Sequence, residues 1–144
     1  MVKKKILVTG ANGLLGQKII YNLKNRTDVS LLACSKGVNR LIETNGYKYI
    51  ELDITNKNQV QKVISLEKPD AVINCAAMTN VDKCENNQKE CWEINVNAVE
   101  NIANSCELIK AHLLHLSTDF VFDGEKGNYI ESDEPNPLAA FGKS

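Results

Sequence analysis

The stretch Lys5-Ile6-Leu7-Val8-Thr9-Gly10-Ala11-Asn12-Gly13-Leu14-Leu15-Gly16 decides the fold. Lys5-Ile6-Leu7-Val8 is a short apolar run that enters a turn with glycines at positions 10, 13 and 16. From Leu14 to Leu23 apolar residues then recur at Leu15, Ile19, Ile20 and Leu23 with helical spacing. The order is strand, glycine turn, helix. In such a turn the first glycine permits the tight bend, the second lets backbone approach a pyrophosphate, and the third lets the helix pack closely on the strand. The helix offers free N–H groups and the positive end of its dipole to the phosphates. Gly10, Asn12, Gly13, Leu14, Leu15 and Gly16 are therefore the candidate cradle for the pyrophosphate of a dinucleotide. No Gly-Lys-Ser/Thr sequence closes the turn, which disfavours ATP hydrolysis.

Working outward, Val29 to Cys34 reads as a second strand and Tyr47 to Leu52 as a third, with room for a helical turn or two at Asn39 to Thr44 between them. Thr55 is placed to cap a helix through Val60, Val63, Ile64 and Leu66, which Pro69 ends before a fourth strand at Ala71 to Cys75. Asn87 to Ile109 reads as one long helix and Ala111 to Leu116 as a fifth strand. Trp92, Ile94, Val96 and Val99 form no single stripe on that helix, which predicts burial on more than one side. Strands alternating with helices predict a doubly wound parallel sheet covered on both faces, the Rossmann fold. From Asp119 onward Asp123-Gly124, Lys126-Gly127 and Pro135-Asn136-Pro137 predict turns rather than regular structure. Ser144 closes the sequence before the further elements that complete such sheets, so a single domain, 1–144, with a sheet incomplete at its C-terminal side is expected.

A net charge of -1 and a single short basic cluster, Lys3-Lys4-Lys5, do not suit a nucleic-acid surface. The five cysteines, Cys34, Cys75, Cys84, Cys91 and Cys106, are odd in number and lack metal-ligand spacing; with no secretory segment before them they read as reduced thiols of a cytoplasmic protein. Apolar runs fall well short of the roughly 18 residues a membrane span needs. His112 and His115 are three residues apart on a strand and point to opposite faces, so neither is expected to bind metal and both read as structural. Asp82, Cys84, Glu85, Glu90 and Cys91 lack zinc-type spacing as well.

An acidic residue about 20 positions beyond the last glycine would hold the ribose 2′-hydroxyl of NAD. This chain has Ser35-Lys36 there, with Arg40 nearby. A small hydroxyl followed by cations suits a 2′-phosphate better, which favours NADP(H) over NAD(H).

Five stretches in order carry a family resemblance: Val8 to Gly16, Leu52-Asp53-Ile54, Asn74-Cys75-Ala76-Ala77-Met78-Thr79-Asn80-Val81-Asp82, Ile94-Asn95-Val96, and Ser117-Thr118-Asp119-Phe120-Val121-Phe122-Asp123-Gly124. The chain resembles the extended short-chain dehydrogenases and, within them, the dTDP-4-dehydrorhamnose reductase group of sugar-nucleotide reductases. The resemblance implies NAD(P)H-dependent reduction of a keto group on a nucleotide-linked sugar. It implies that Asp53 and Ile54 sit beside the adenine, with Asp53 accepting from its amine. The small side chains of Cys75, Ala76 and Ala77 would let backbone pass the cofactor ribose and pyrophosphate. Asn95 would support the active-site backbone, and Thr79 would help line the substrate pocket. Thr118 would be catalytic, its hydroxyl donating to the substrate carbonyl. The resemblance further implies a homodimer contact on the helix that carries Trp92, Ile94, Val96 and Val99 as an alternative to their burial in the core.

The resemblance also implies a tyrosine followed four residues later by a lysine. The aligned segment is Pro137-Leu138-Ala139-Ala140-Phe141-Gly142-Lys143-Ser144, with Phe141 in the tyrosine's place and the sequence closing one position short of the lysine. Phenylalanine has no phenolic proton to give. Two expectations follow. The chain is an inactive N-terminal part of such a reductase, lacking its substrate domain, or it is a non-catalytic cofactor-binding protein with a regulatory or interaction role.

Overall fold

The structure is a computed structural model that describes residues 2–144. Five parallel strands, β1 (Lys4–Thr9), β2 (Val29–Ser35), β3 (Lys48–Glu51), β4 (Ala71–Asn74) and β5 (His112–His115), form one sheet in the order β3-β2-β1-β4-β5. Between them run α1 (Leu14–Leu23), α2 (Lys57–Glu67), α3 (Val81–Asn86), α4 (Gln88–Trp92) and α5 (Ala98–Ile109), and a short α6 (Ala140–Lys143) closes the chain. The order reverses at β1: the chain steps to β2 and β3 on one side, then returns to β4 and β5 on the other. This is the doubly wound Rossmann arrangement, and its switch point lies between β1 and β4. There Thr9 is in register with Asn74.

Alternation along the strands feeds two cores. Leu7, Leu32, Cys34 and Val72 pack against Val60 and Ile64 of α2 and Ala98, Ile102 and Cys106 of α5 on one face. Val8, Leu31 and Ala33 pack with Ile20 of α1 and Leu41 on the other. The near-continuous apolar runs of β1 and β2 are the signature of strands buried on both sides, each fully buried Leu or Ile contributing about 1.5–3 kcal/mol. All five cysteines are free, and burial pushes the Cys34 thiol up to about 12. No helix among the described residues is long and apolar enough to cross a membrane.

Three expectations about local structure are corrected. Asn39 to Thr44 forms no helix. Side chains take its backbone donors instead: Asn12 Oδ1 accepts from Arg40 N (2.9 Å), Asn39 Oδ1 from Leu41 N (3.1 Å) and the Tyr21 hydroxyl from Ile42 N (3.1 Å). The cap of α2 is Asn56, whose side chain accepts from Gln59 N. The Thr55 hydroxyl is occupied, donating to Asp53 Oδ1 at 2.7 Å. The long helix from Asn87 is interrupted: α4 passes into a π turn, Glu93–Asn97, before α5. That extra residue rotates the buried face, so Cys91 and then Ala98, Ile102 and Cys106 point inward while Trp92 is 50% exposed. Helix α3, capped by Asn80 accepting from Lys83 N at 2.8 Å, is an element the apolar pattern does not reveal.

Candidate functional site

The site is built around Gly10. Its φ of +63° is a left-handed conformation that L side chains resist, and a Cβ there would lie 2.7 Å from Cys75 C and Ala76 N. The segment after β4 therefore crosses directly over the turn after β1. Gly16 is equally constrained, because a Cβ would drive into the Gly10 carbonyl. Gly13 differs: its only tight contact would be the Gly10 oxygen at 3.2 Å, and it stands exposed at the N-terminus of α1. No side chain caps that helix, so its first N–H groups face the hollow above the turn.

That hollow is a cavity of about 830 Å³. Of the residues singled out from the sequence, Gly13, Leu14, Leu15, Gly16, Cys75, Ala76, Ala77, Thr79, Asn95 and Thr118 line it, although they come from four separate stretches of chain. Its wall carries two cationic side chains, Lys18 and Lys143, and no Asp or Glu side chain. Together with the uncapped end of α1, this is an electropositive chamber suited to a phosphorylated ligand.

Its polar lining is held from behind. Asn95, set inward by the π turn, accepts from Met78 N (2.8 Å) and donates to Met78 O (3.1 Å) and Ser144 Oγ (3.0 Å). It thereby clamps the strand-end backbone to the last turn of the chain. Beneath the turn, the buried Thr9 hydroxyl donates to Asn74 Oδ1, and Asn74 Nδ2 lies 3.0 Å from His115 Nδ1. Because the Asn74 amide nitrogen can only donate, His115 Nδ1 is the acceptor and the ring proton sits on Nε2. Burial lowers the His115 pKa, keeping the ring neutral at pH 7. His115 thus bonds to Asn74 and also forms part of the cavity wall.

Thr118 opens a 3-10 turn at Asp119–Val121, accepting from Phe120 N (3.2 Å) and donating to Asp119 Oδ1 (3.2 Å). It caps that turn and borders the cavity at once. Opposite stands Phe141, its ring 5.5 Å from that of Phe120 in an edge-on pair and packed on Met78, Cys84 and Cys91. The aromatic surface here is apolar, with no hydroxyl.

The remaining candidates lie outside this chamber, toward β2 and β3. Lys36 Nζ pairs with Asp53 Oδ2 at 2.7 Å, and Asp53 Oδ1 accepts from Thr55 N (3.0 Å) and Thr55 Oγ1. Burial pushes the Asp53 carboxyl up, but the Lys36 ammonium and the Thr55 donors outweigh it and leave the pKa below the ordinary carboxylate value. Ile54 is buried in the main core. Asn12 directs its side chain to the loop after β2, where Nδ2 donates to Val38 O (3.0 Å) as Oδ1 holds Arg40 N. Lys36 borders a second hollow of about 620 Å³ with Thr55, Lys89, Glu90 and Glu93. The sequence reading passed over Lys18, Lys143 and Ser144 as lining residues; only folding brings them to the turn. Among the described residues no group of three His, Cys, Asp or Glu side chains is placed to hold a metal.

Comparison with known proteins fits this geometry. A dTDP-4-dehydrorhamnose reductase of Aggregatibacter actinomycetemcomitans is 37% identical over 141 residues, covering 97% of this chain and 44% of the relative. The methionine adenosyltransferase 2 subunit beta of Danio rerio is 35% identical, covering 98% and 41%. The crystal structure of a Bacillus anthracis dTDP-4-dehydrorhamnose reductase in complex with NADP superposes with a TM-score of 0.84 at 31% identity, covering 99% of this chain and 46% of that one. The chain spans less than half the length of these proteins. The family profile described as the RmlD substrate binding domain matches residues 4–144, and the chain belongs to that family.

Proposed function

We propose that this chain binds a nicotinamide dinucleotide over the Gly10 to Gly16 turn and forms the cofactor-binding half of a reductase that acts on a keto group of a nucleotide-linked sugar. The observation that carries the reading is the chamber itself. It lies at the switch point of the sheet, a glycine cradle floors it, an uncapped helix end and two lysines face it, and no Asp or Glu side chain lines it. A pyrophosphate fits that chemistry. Leu14, Leu15 and Gly16 would hold it through backbone N–H groups, while Cys75, Ala76 and Ala77 leave room for the ribose beside it. Once bound, the cofactor supplies a hydride. The chain's own contribution at the carbonyl is Thr118, whose hydroxyl would turn from Asp119 to donate to the substrate oxygen. The cations after β2 favour NADP(H) over NAD(H).

Phe141 supports a second reading. The position that would deliver a proton to the alkoxide presents an aromatic edge with no hydroxyl. A chamber that holds the cofactor without an acid suits a binding or regulatory role, and one relative is itself named as a subunit of a methionine adenosyltransferase. Mixing the chain with NADPH and a dTDP-4-keto-6-deoxy sugar separates the two properties. Nicotinamide fluorescence should report binding while absorbance shows no oxidation. NADPH oxidation at a rate proportional to protein would overturn the conclusion that Phe141 withholds the proton. Absence of NADPH binding would overturn the cofactor reading itself.

A further inference from the structure

Beside the two cores of the sheet lies a third buried cluster, and all three of its members carry sulfur: Met78, Cys84 and Cys91. Cys84 is wholly buried, and Cys91 and Met78 are 1% and 7% exposed. The Cys84 thiol donates to Met78 O at 3.5 Å, and the Cys84 and Cys91 side chains are hydrogen-bond neighbours. Cys91 Sγ accepts from Asn95 Nδ2 at 3.4 Å and lies 3.3 Å from Ser144 Oγ. Two donors are therefore already aimed at that sulfur. Asn95, Ser144 and Phe141, which packs on the cluster, also line the large chamber, so a small ion in the chamber has a short route to the sulfurs.

Thiols in hydrogen-bond contact stand at about the span of a sulfur–metal–sulfur unit, two bonds of about 2.3 Å each. Zinc would need four ligands, and among the described residues no His, Asp or Glu completes a metal-holding group with these cysteines. Two thiolates and a thioether in an apolar pocket suit a soft ion of low coordination number. We infer that Cys84 and Cys91, with the Met78 thioether beside them, bind one Cu(I) ion. Each thiol releases its proton to solvent as its sulfur takes the metal, so two protons leave, no electron is transferred and copper stays Cu(I). The Cys84 thiol then gives up its bond to Met78 O, while Asn95 Nδ2 and Ser144 Oγ donate to the Cys91 thiolate. Burial pushes the Cys84 thiol up to about 12, so uptake tightens as pH rises. The inference is independent of the cofactor reading above.

The test titrates the reduced, unaltered chain without oxygen against Cu(I) held by a colorimetric chelator. Loss of the chelator colour and the near-ultraviolet thiolate-to-copper charge transfer are the readouts. The expected result is one ion taken up per chain, with uptake weakened about a hundredfold or more in C84S and in C91S, less in M78L, and unchanged in C106S. Circular dichroism checks that each variant is folded. Nitrogen-15 NMR of the unaltered chain locates the site without any variant, because Cu(I) is diamagnetic: shifts on loading should centre on Met78, Cys84, Cys91 and the Asn95 side chain. No transfer of Cu(I) from the chelator, full uptake in folded C84S or C91S, or shifts centred on Cys75 would overturn the inference.

Discussion

At Gly10 and Gly16 the missing side chain is a steric requirement, because a Cβ at either would meet backbone that cannot move aside: Cys75 and Ala76 for Gly10, the Gly10 carbonyl for Gly16. Gly16→Ala should therefore cost stability, by about 2–4 kcal/mol given the contact it forces, read as a lower denaturant midpoint at unchanged slope. Single residues are also where the sequence was most and least informative. The glycines announce their role because spacing alone encodes the turn. Asn12 does not, since its partners are the backbone of residues 38 and 40, and nothing in the local pattern reveals that the loop folds back onto it. Asp53 is similar. A position beside the adenine was implied by resemblance, while its ion pair with Lys36 is visible only in three dimensions.

Among the elements, the π turn at Glu93–Asn97 shows why the helix from Asn87 was misread as continuous. The inserted residue is held by side-chain bonds made across the fold, above all Asn95 to the Met78 backbone, and helical periodicity carries no trace of those. The lack of one apolar stripe was the visible symptom, and a change of register its cause. Asn95→Ala should leave the sheet intact, destabilise by about 1–3 kcal/mol through the unpaired backbone groups of Met78, and accelerate hydrogen exchange at the Met78 amide ahead of the strand amides. The segment from Asp119 to Asn136 has its own anchor. Asp123 accepts from the Tyr129 hydroxyl, Glu125 N (3.0 Å) and Asn136 Nδ2 (2.9 Å), and these donors, Tyr129 foremost, lower its pKa to about 2. Since the folded value is below the ordinary 3.8, this anchor is at full strength above about pH 4 and is lost as pH falls toward 2. Tyr129 stacks on Phe122 with ring centroids 4.3 Å apart, so near-ultraviolet circular dichroism should lose their signal over that window. In Asp123→Ala the signal should be weak already at neutral pH.

For the whole molecule, two apolar faces on one parallel sheet fix the strand order, and the strand order fixes where a ligand can go. The turn after β1 and the segment after β4 meet at the reversal, and the cavity opens above them. The doubly wound sheet and the turn after β1 were legible from five apolar runs and three glycines, while the part played by the segment after β4 was implied only by the family resemblance. The electropositive wall was not, because Lys18 and Lys143 are distant in sequence and only folding assembles them. The central claim is that this junction holds a nicotinamide dinucleotide, and Gly13 is the position at which to test it. Gly13 packs against little else, so Gly13→Val obstructs the approach to the helix end with less harm to the fold than a change at Gly10 or Gly16. Titrating NADPH into the unaltered chain and into folded Gly13→Val, with nicotinamide fluorescence as the readout, should show saturable binding in the first and at least about tenfold weaker binding in the second. Equal affinity in the two proteins would contradict the account.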